Sequence, residues 1–189
     1  LFGIEADYYE GCLSFLETWL PSQEFDIVLG SIHFIKNWGF DNINQRQIWD
    51  SVNVPKTWQI YFKLVIELAK TGLYDVVAHL DLPKKFGYRP SDKAVQEMAQ
   101  PALDQIAASG MVIEVNTSGL RKPIKEIYPS PLLLKLAQER EIPICFGSDA
   151  HQPEEVGFGF PAAIKLAKQA GYTHAVQFRR REKRFYPIP

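Results

Sequence analysis

The 189-residue chain is poor in cysteine: Cys12 and Cys145 are its two thiols, far apart and outside any CxxC. That excludes a disulfide framework or a zinc ribbon and fits a reducing, cytoplasmic setting. It has no run of about 18 apolar residues, so no membrane helix is expected, and no signal peptide is visible. It lacks an excess charge of either sign: 21 basic against 22 acidic residues leave a net of −1. Bulk attraction to nucleic acid is therefore not expected. Low-complexity segments and internal repeats are absent too. What is present is ordinary for a globular chain, 46% hydrophobic and 23% charged, and the length suits one domain over residues 1–189.

Short apolar runs alternate with longer amphipathic ones. Strands are expected at Gly3–Asp7, Phe25–His33, Tyr74–Leu80, Met111–Asn116, Ile142–Gly147 and His174–Phe178. Helices are expected at 13–20, 55–70, 91–109, 131–140 and 162–169, with Pro, Ser and Gly as start and stop signals. Lys36–Val54 reads as a long loop with one helical turn. Six strands alternating with helices predict a parallel sheet with right-handed crossovers, either a barrel or doubly wound. The basic run Arg179–Arg184 reads as a solvated tail, able to bring cations to the site mouth if it folds back.

The chain has only four histidines. His33, His79 and His151 all fall at or just past the C-terminal end of an expected strand, the edge where α/β folds do their chemistry. His174 begins its strand and reads as structural. Carboxylates accompany the three: Glu5, Asp81, Glu114 and Asp149. The pairs His79/Asp81 and Asp149/His151 share a face only if the backbone stays extended there. Imidazoles and carboxylates without thiolate suit zinc, iron or manganese at a hydrolytic site, where such ions activate water and clamp a transferring phosphoryl group. Simpler readings stand beside this one: Asp149 as a helix cap, Asp81 as a turn former, Glu114 as a buried partner of Arg121 or Lys122. The polar loop Asn116–Pro123 offers hydroxyls, a glycine and two cations, groups that hold a phosphate.

The blocks GIEADYYEG, FDIVLGSIHFIKNWGFD, VVAHLDLPKKFG, EVNTSGLRKPIKEIYPSP and FGSDAHQPEEVG resemble, in order, those of the polymerase and histidinol phosphatase (PHP) superfamily, nearest its histidinol-phosphate phosphatase branch. The resemblance implies a distorted (β/α)7 barrel with a trinuclear metal site and no organic cofactor. It implies hydrolysis of histidinol phosphate, a small phosphomonoester, in histidine biosynthesis, without nucleic-acid or membrane partners. Carried over, Glu5 bridges two metals, His33 and His79 complete one shell, Asp149 binds another ion and His151 a third, and Arg121 holds the phosphate. Asp81 and Glu114 receive no metal role and would orient ligands. The family's first-strand His-x-His motif has no match here. The expectation is an N-terminally incomplete barrel, short by about two βα units of roughly 30 or more residues each. Its sheet edges would be left open, and the shells of two metals would be depleted. Alternatives are another phosphoesterase of the superfamily (an exonuclease or protein-tyrosine phosphatase) or an inactive binding subunit. Oligomeric state is left open.

Overall fold

The computed structural model describes residues 1–189. β1 (Gly3–Asp7) and β2 (Ile27–Ser31) lead into a two-residue hairpin, β3 (Phe34–Ile35) and β4 (Trp38–Gly39), followed by β5 (Val76–Val77), β6 (Val112–Asn116) and β7 (Ile144–Gly147). The main sheet has the order β1-β2-β5-β6-β7, with every pair parallel. Each new strand adds on the same side as the last, so there is no switch point of the doubly wound kind. The sheet is an arc of a barrel, and of the two architectures open to the sequence this order selects the barrel type.

The crossover helices are α1 (Leu13–Trp19), α2 (Val54–Lys70), α3 (Asp92–Ala108), α4 (Pro131–Gln138) and α5 (Phe160–Ala170). The side chains of Asn53, Ser91 and Ser130 accept backbone N–H bonds at the starts of α2, α3 and α4, the expected capping chemistry. In α2 the buried residues Trp58, Tyr61, Phe62, Val65, Leu68 and Ala69 recur at helical spacing. They join Val28, Ile32, Val77 and Ile113 from the outward face of the sheet in the largest core cluster. No helix is long and apolar enough to cross a membrane.

The expected sixth parallel strand is something else. β8 (His174–Arg179) pairs antiparallel with β9 (Glu182–Pro187) and with no strand of the main sheet. Its Val176 and Phe178 cover the sheet's inner layer of Val76, Val112 and Cys145. The basic run is therefore the turn and second strand of a hairpin rather than a free tail. The Arg180 backbone N–H donates to the Asp26 carboxylate at 2.9 Å. The Arg181 guanidinium donates to Asp75 at 3.0 Å and to the Leu73 carbonyl at 2.6 Å. Asp26 and Asp75 each immediately precede a strand, so these cations sit at the N-terminal edge, away from His33, His79 and His151. His174 is exposed on this hairpin.

Two further departures shape the site. The third expected strand shrinks to Val76–Val77 because His79 adopts a positive φ of 26°, and Asp149 likewise has φ of 48°. The 36–54 segment is no open loop. It holds β3, β4 and a 3-10 stretch over Ile43–Asp50, pinned by buried Phe40 and Trp49, whose indole donates to the Phe40 carbonyl at 2.7 Å.

Candidate metal centre

The donors come from three adjacent parallel strands, β1, β2 and β5. Glu5 stands mid-strand on β1, level with Leu29 and Val76, while His33 lies two residues past β2 and His79 two past β5. Ligand atoms of Glu5, His33 and His79 all lie within 4.8 Å of one another. One carboxylate oxygen, Glu5 Oε1, is shared: it stands 3.0 Å from His79 Nε2 and 3.7 Å from His33 Nε2. Burial alone would raise the Glu5 carboxyl, but the hydrogen bond and charge of His79, followed by His33, bring it down to about 2. Burial would lower His79; the hydrogen bond and charge of Glu5, with Glu114 and Asp149 beyond, outweigh it and raise the imidazole to about 9. The chain has assembled an anion between two rings, one of them buried. A carboxylate with two imidazoles is a donor set that fits a divalent ion and leaves coordination positions free.

The shell around these donors is built too. Asp7 Oδ1 bonds the His33 Nδ1 and also accepts from the Ser31 hydroxyl at 2.9 Å. Burial would raise Asp7, but the His33 hydrogen bond and charge lower it. Asp7 was not singled out in the sequence, although its place at i+2 from Glu5 on a strand puts it on the same face. A carboxylate behind a ligating imidazole fixes ring orientation and tautomer. Asp7→Asn is therefore expected to weaken metal binding by about 10- to 100-fold with the fold intact, as measured by competition with a chelating dye. Unchanged affinity would remove Asp7 from the shell.

Glu114 is buried on β6 and takes the orienting part open to it. Its Oε2 accepts from the His79 backbone N–H at 3.2 Å and from the Asn116 amide at 2.9 Å, holding the turn that aims the imidazole. Burial raises its pKa despite these bonds. A Cβ on Gly147 would come within 1.9 Å of Glu114 Oε1, so glycine there makes room for the carboxylate. Asp81 does not join the donors. With His79 turned, Asp81 points beneath the site, buried against Lys84 at 3.0 Å and accepting from the Ser130 N–H at 2.9 Å.

A polar cavity of about 170 Å³ opens on the cluster, and Glu5, His33, His79, Asp149 and His151 all line it. Asp149 and His151 stand apart from the three-residue cluster. His151 Nδ1 is 3.5 Å from Asp149 Oδ1, and the His151 ring is exposed. Asp149 caps no helix, since the next element is a short turn at Pro153–Glu155. The facing wall carries Lys85, Lys122, Ser118, Asp41 and Tyr128. Lys85 is paired with Asp41 at 2.9 Å, while Lys122 makes no ion pair.

Arg121 lies outside this cavity. Its Nη2 donates to the Ser148 and Asp149 carbonyls, both at 2.9 Å, and it pairs with Glu155 at 3.1 Å. Glu155 in turn accepts from the His151 backbone N–H at 2.9 Å, which draws its carboxyl below the usual range. In this structure Arg121 thus clamps the loop that presents Asp149 and His151, with its Nη1 left unpaired. The neighbouring Lys122 and Ser118, not Arg121, face the cavity.

The sequence profile described as PHP domain matches residues 1–118, and one described as PHP-associated matches residues 132–160. A protein described as a probable histidinol-phosphatase from Deinococcus radiodurans is 42% identical over 95% of this chain and 68% of its own length. The histidinol-phosphatase of Bacillus subtilis is 28% identical, over 86% of this chain and 67% of its own. The chain therefore spans about two thirds of the length of these relatives. Among solved structures, the histidinol phosphate phosphatase of Lactococcus lactis, complexed with zinc, L-histidinol and phosphate, superposes with a TM-score of 0.82 at 19% identity. It covers 96% of this chain and 70% of that one, and it shows the same fold.

Proposed function

Because the chain belongs to the PHP domain family, we propose that it is a metal-dependent phosphomonoesterase that hydrolyses histidinol phosphate to histidinol and phosphate, a step of histidine biosynthesis. The observation that carries this is the Glu5 oxygen shared by two imidazoles at the floor of a polar cavity with a free cation on its wall. Glu5, His33 and His79 would hold one divalent ion and Asp149 with His151 would help hold others, two or three in all, of zinc, iron or manganese. Such ions, when bound, act as Lewis acids on phosphoryl oxygens and lower the pKa of water.

The chain's own residues do the rest. Lys122 and Ser118 meet the phosphate oxygens, the first as a cation and the second as a donor. Asp41, steadied by Lys85, offers a carboxylate to the cationic end of the substrate. Glu114 and Asp7 keep the imidazoles aimed, and Arg121 keeps the Asp149–His151 loop against the cavity. Elemental analysis paired with phosphate release from histidinol phosphate tests the reading. Bound divalent metal with turnover is expected, and a metal-loaded chain that releases no phosphate would overturn it. Lys122→Ala is expected to raise KM roughly 10-fold or more with a smaller loss in kcat, since a hydrogen bond to a charged group is worth about 1.5–3 kcal/mol. An unchanged KM would move the phosphate site elsewhere.

A further inference from the structure

Tyr128 enters none of the roles above, and its surroundings are unusually constrained. Its backbone makes a two-way bridge with Asn116 at the end of β6: the Tyr128 N–H donates to the Asn116 carbonyl at 2.9 Å, and the Asn116 N–H returns the bond at 2.7 Å. The ring is fully buried. It stands edge-on to His79 with centroids 6.3 Å apart, and Lys84 Nζ lies 5.1 Å from its centre. Gly119 closes the third side. A Cβ there would fall 2.8 Å from the ring and 2.0 Å from the Glu126 carbonyl, so the ring has no room to swing.

The phenol oxygen at the end of this fixed ring has no hydrogen-bond partner within the protein. Among the buried polar side-chain atoms without one, two belong to residues of the cavity wall: His79 Nδ1 and Tyr128 Oη. Phenylalanine would fill the same space without stranding a donor, and a stranded buried donor is destabilising. A buried hydroxyl left unpaired in a residue that lines a cavity is available to a ligand bound there.

We propose that the Tyr128 hydroxyl donates a hydrogen bond to an oxygen of the phosphoryl group bound in this cavity. The proposal rests on the phosphoesterase reading and adds a contact to it. A tyrosine hydroxyl is an O–H donor over the ordinary working range.

Tyr128→Phe removes the hydroxyl and leaves the ring. The zinc-loaded full chain and this variant are titrated with inorganic phosphate by calorimetry, beside metal content, thermal unfolding and steady-state kinetics. The expected result is a Kd for phosphate raised roughly 10-fold and kcat/KM lowered to match. Metal content should be unchanged, and Tm unchanged or higher. Phosphate affinity equal to that of the unaltered chain overturns the proposal. Tyr128→Leu, which also removes the ring, is expected to lower Tm as well and so separates packing from the hydroxyl. If phosphate binding depends on Tyr128 but histidinol phosphate stays intact, the hydroxyl's role stands and the substrate assignment alone falls.

Discussion

Glu5→Ala is expected to remove the ion held with His33 and His79, and turnover with it. Glu5 Oε1 is the one atom within reach of both His33 and His79, at 3.7 and 3.0 Å. Its loss leaves two imidazoles, too few donors for a stable divalent site and without the anion that balances the ion's charge. Metal affinity should fall by more than the 10- to 100-fold typical of losing a group behind a ligand. Phosphate release should fall in parallel. Glu5→Gln keeps the shape and one oxygen but not the charge, and should land between the two. Equilibrium dialysis followed by elemental analysis checks both. A Glu5→Ala chain that kept its full complement of metal would show that the centre is built on other residues.

The largest expected effect on stability lies beneath the site. Lys84 and Asp81 are each 1% exposed and 3.0 Å apart. Lys84 also donates to the Ile127 carbonyl at 2.8 Å and reaches Glu126 at 3.3 Å. Lys84→Met would strand a buried carboxylate, one of whose oxygens already lacks a partner. Breaking such a pair costs about 3–5 kcal/mol. For a domain of this size that corresponds to a fall in Tm of roughly 10 °C. Adding Asp81→Asn should restore much of the loss, because no full charge then remains buried. Urea titration of the single and double variants measures both. A single variant within about 1 kcal/mol of the unaltered chain would mean that the ion pair is not what steadies the segment carrying Lys85 and the ring of Tyr128.

Much of this was legible in the chain. The alternation of apolar runs with capped helices gives the crossovers because each strand is buried on both faces and each helix on one. Histidines at strand ends mark the edge where donors converge, and the structure sets Glu5, His33 and His79 side by side there. What the pattern could not supply was backbone curvature past the strands. An extended chain would have aimed Asp81 beside His79; the left-handed turn at His79 sends it under the site to Lys84 instead. Arg121 and Lys122 are adjacent in a polar loop, and the resemblance gives the phosphate to Arg121; past the 3-10 turn over Ser118–Arg121 it is Lys122 that faces the cavity. Asp7 was hidden by its ordinariness: an aspartate ending a strand reads as a turn until His33 is found beside it. The basic run misled because composition says nothing of the partners Asp26 and Asp75, which precede it by 154 and 106 residues.

Those separations bear on the order in which the molecule can be made. The five strands of the arc and their helices form from contacts between neighbours along the chain, and they can associate as they leave the ribosome. The inner layer of Val76, Val112 and Cys145 cannot be finished then, because Val176 and Phe178 have not yet been synthesised. Until they arrive, the nascent chain carries a greasy, unfilled concavity. Its closure waits on a slow kind of event in folding, the return of a late segment to an early one. In the window between those two moments the exposed apolar surface is open to aggregation.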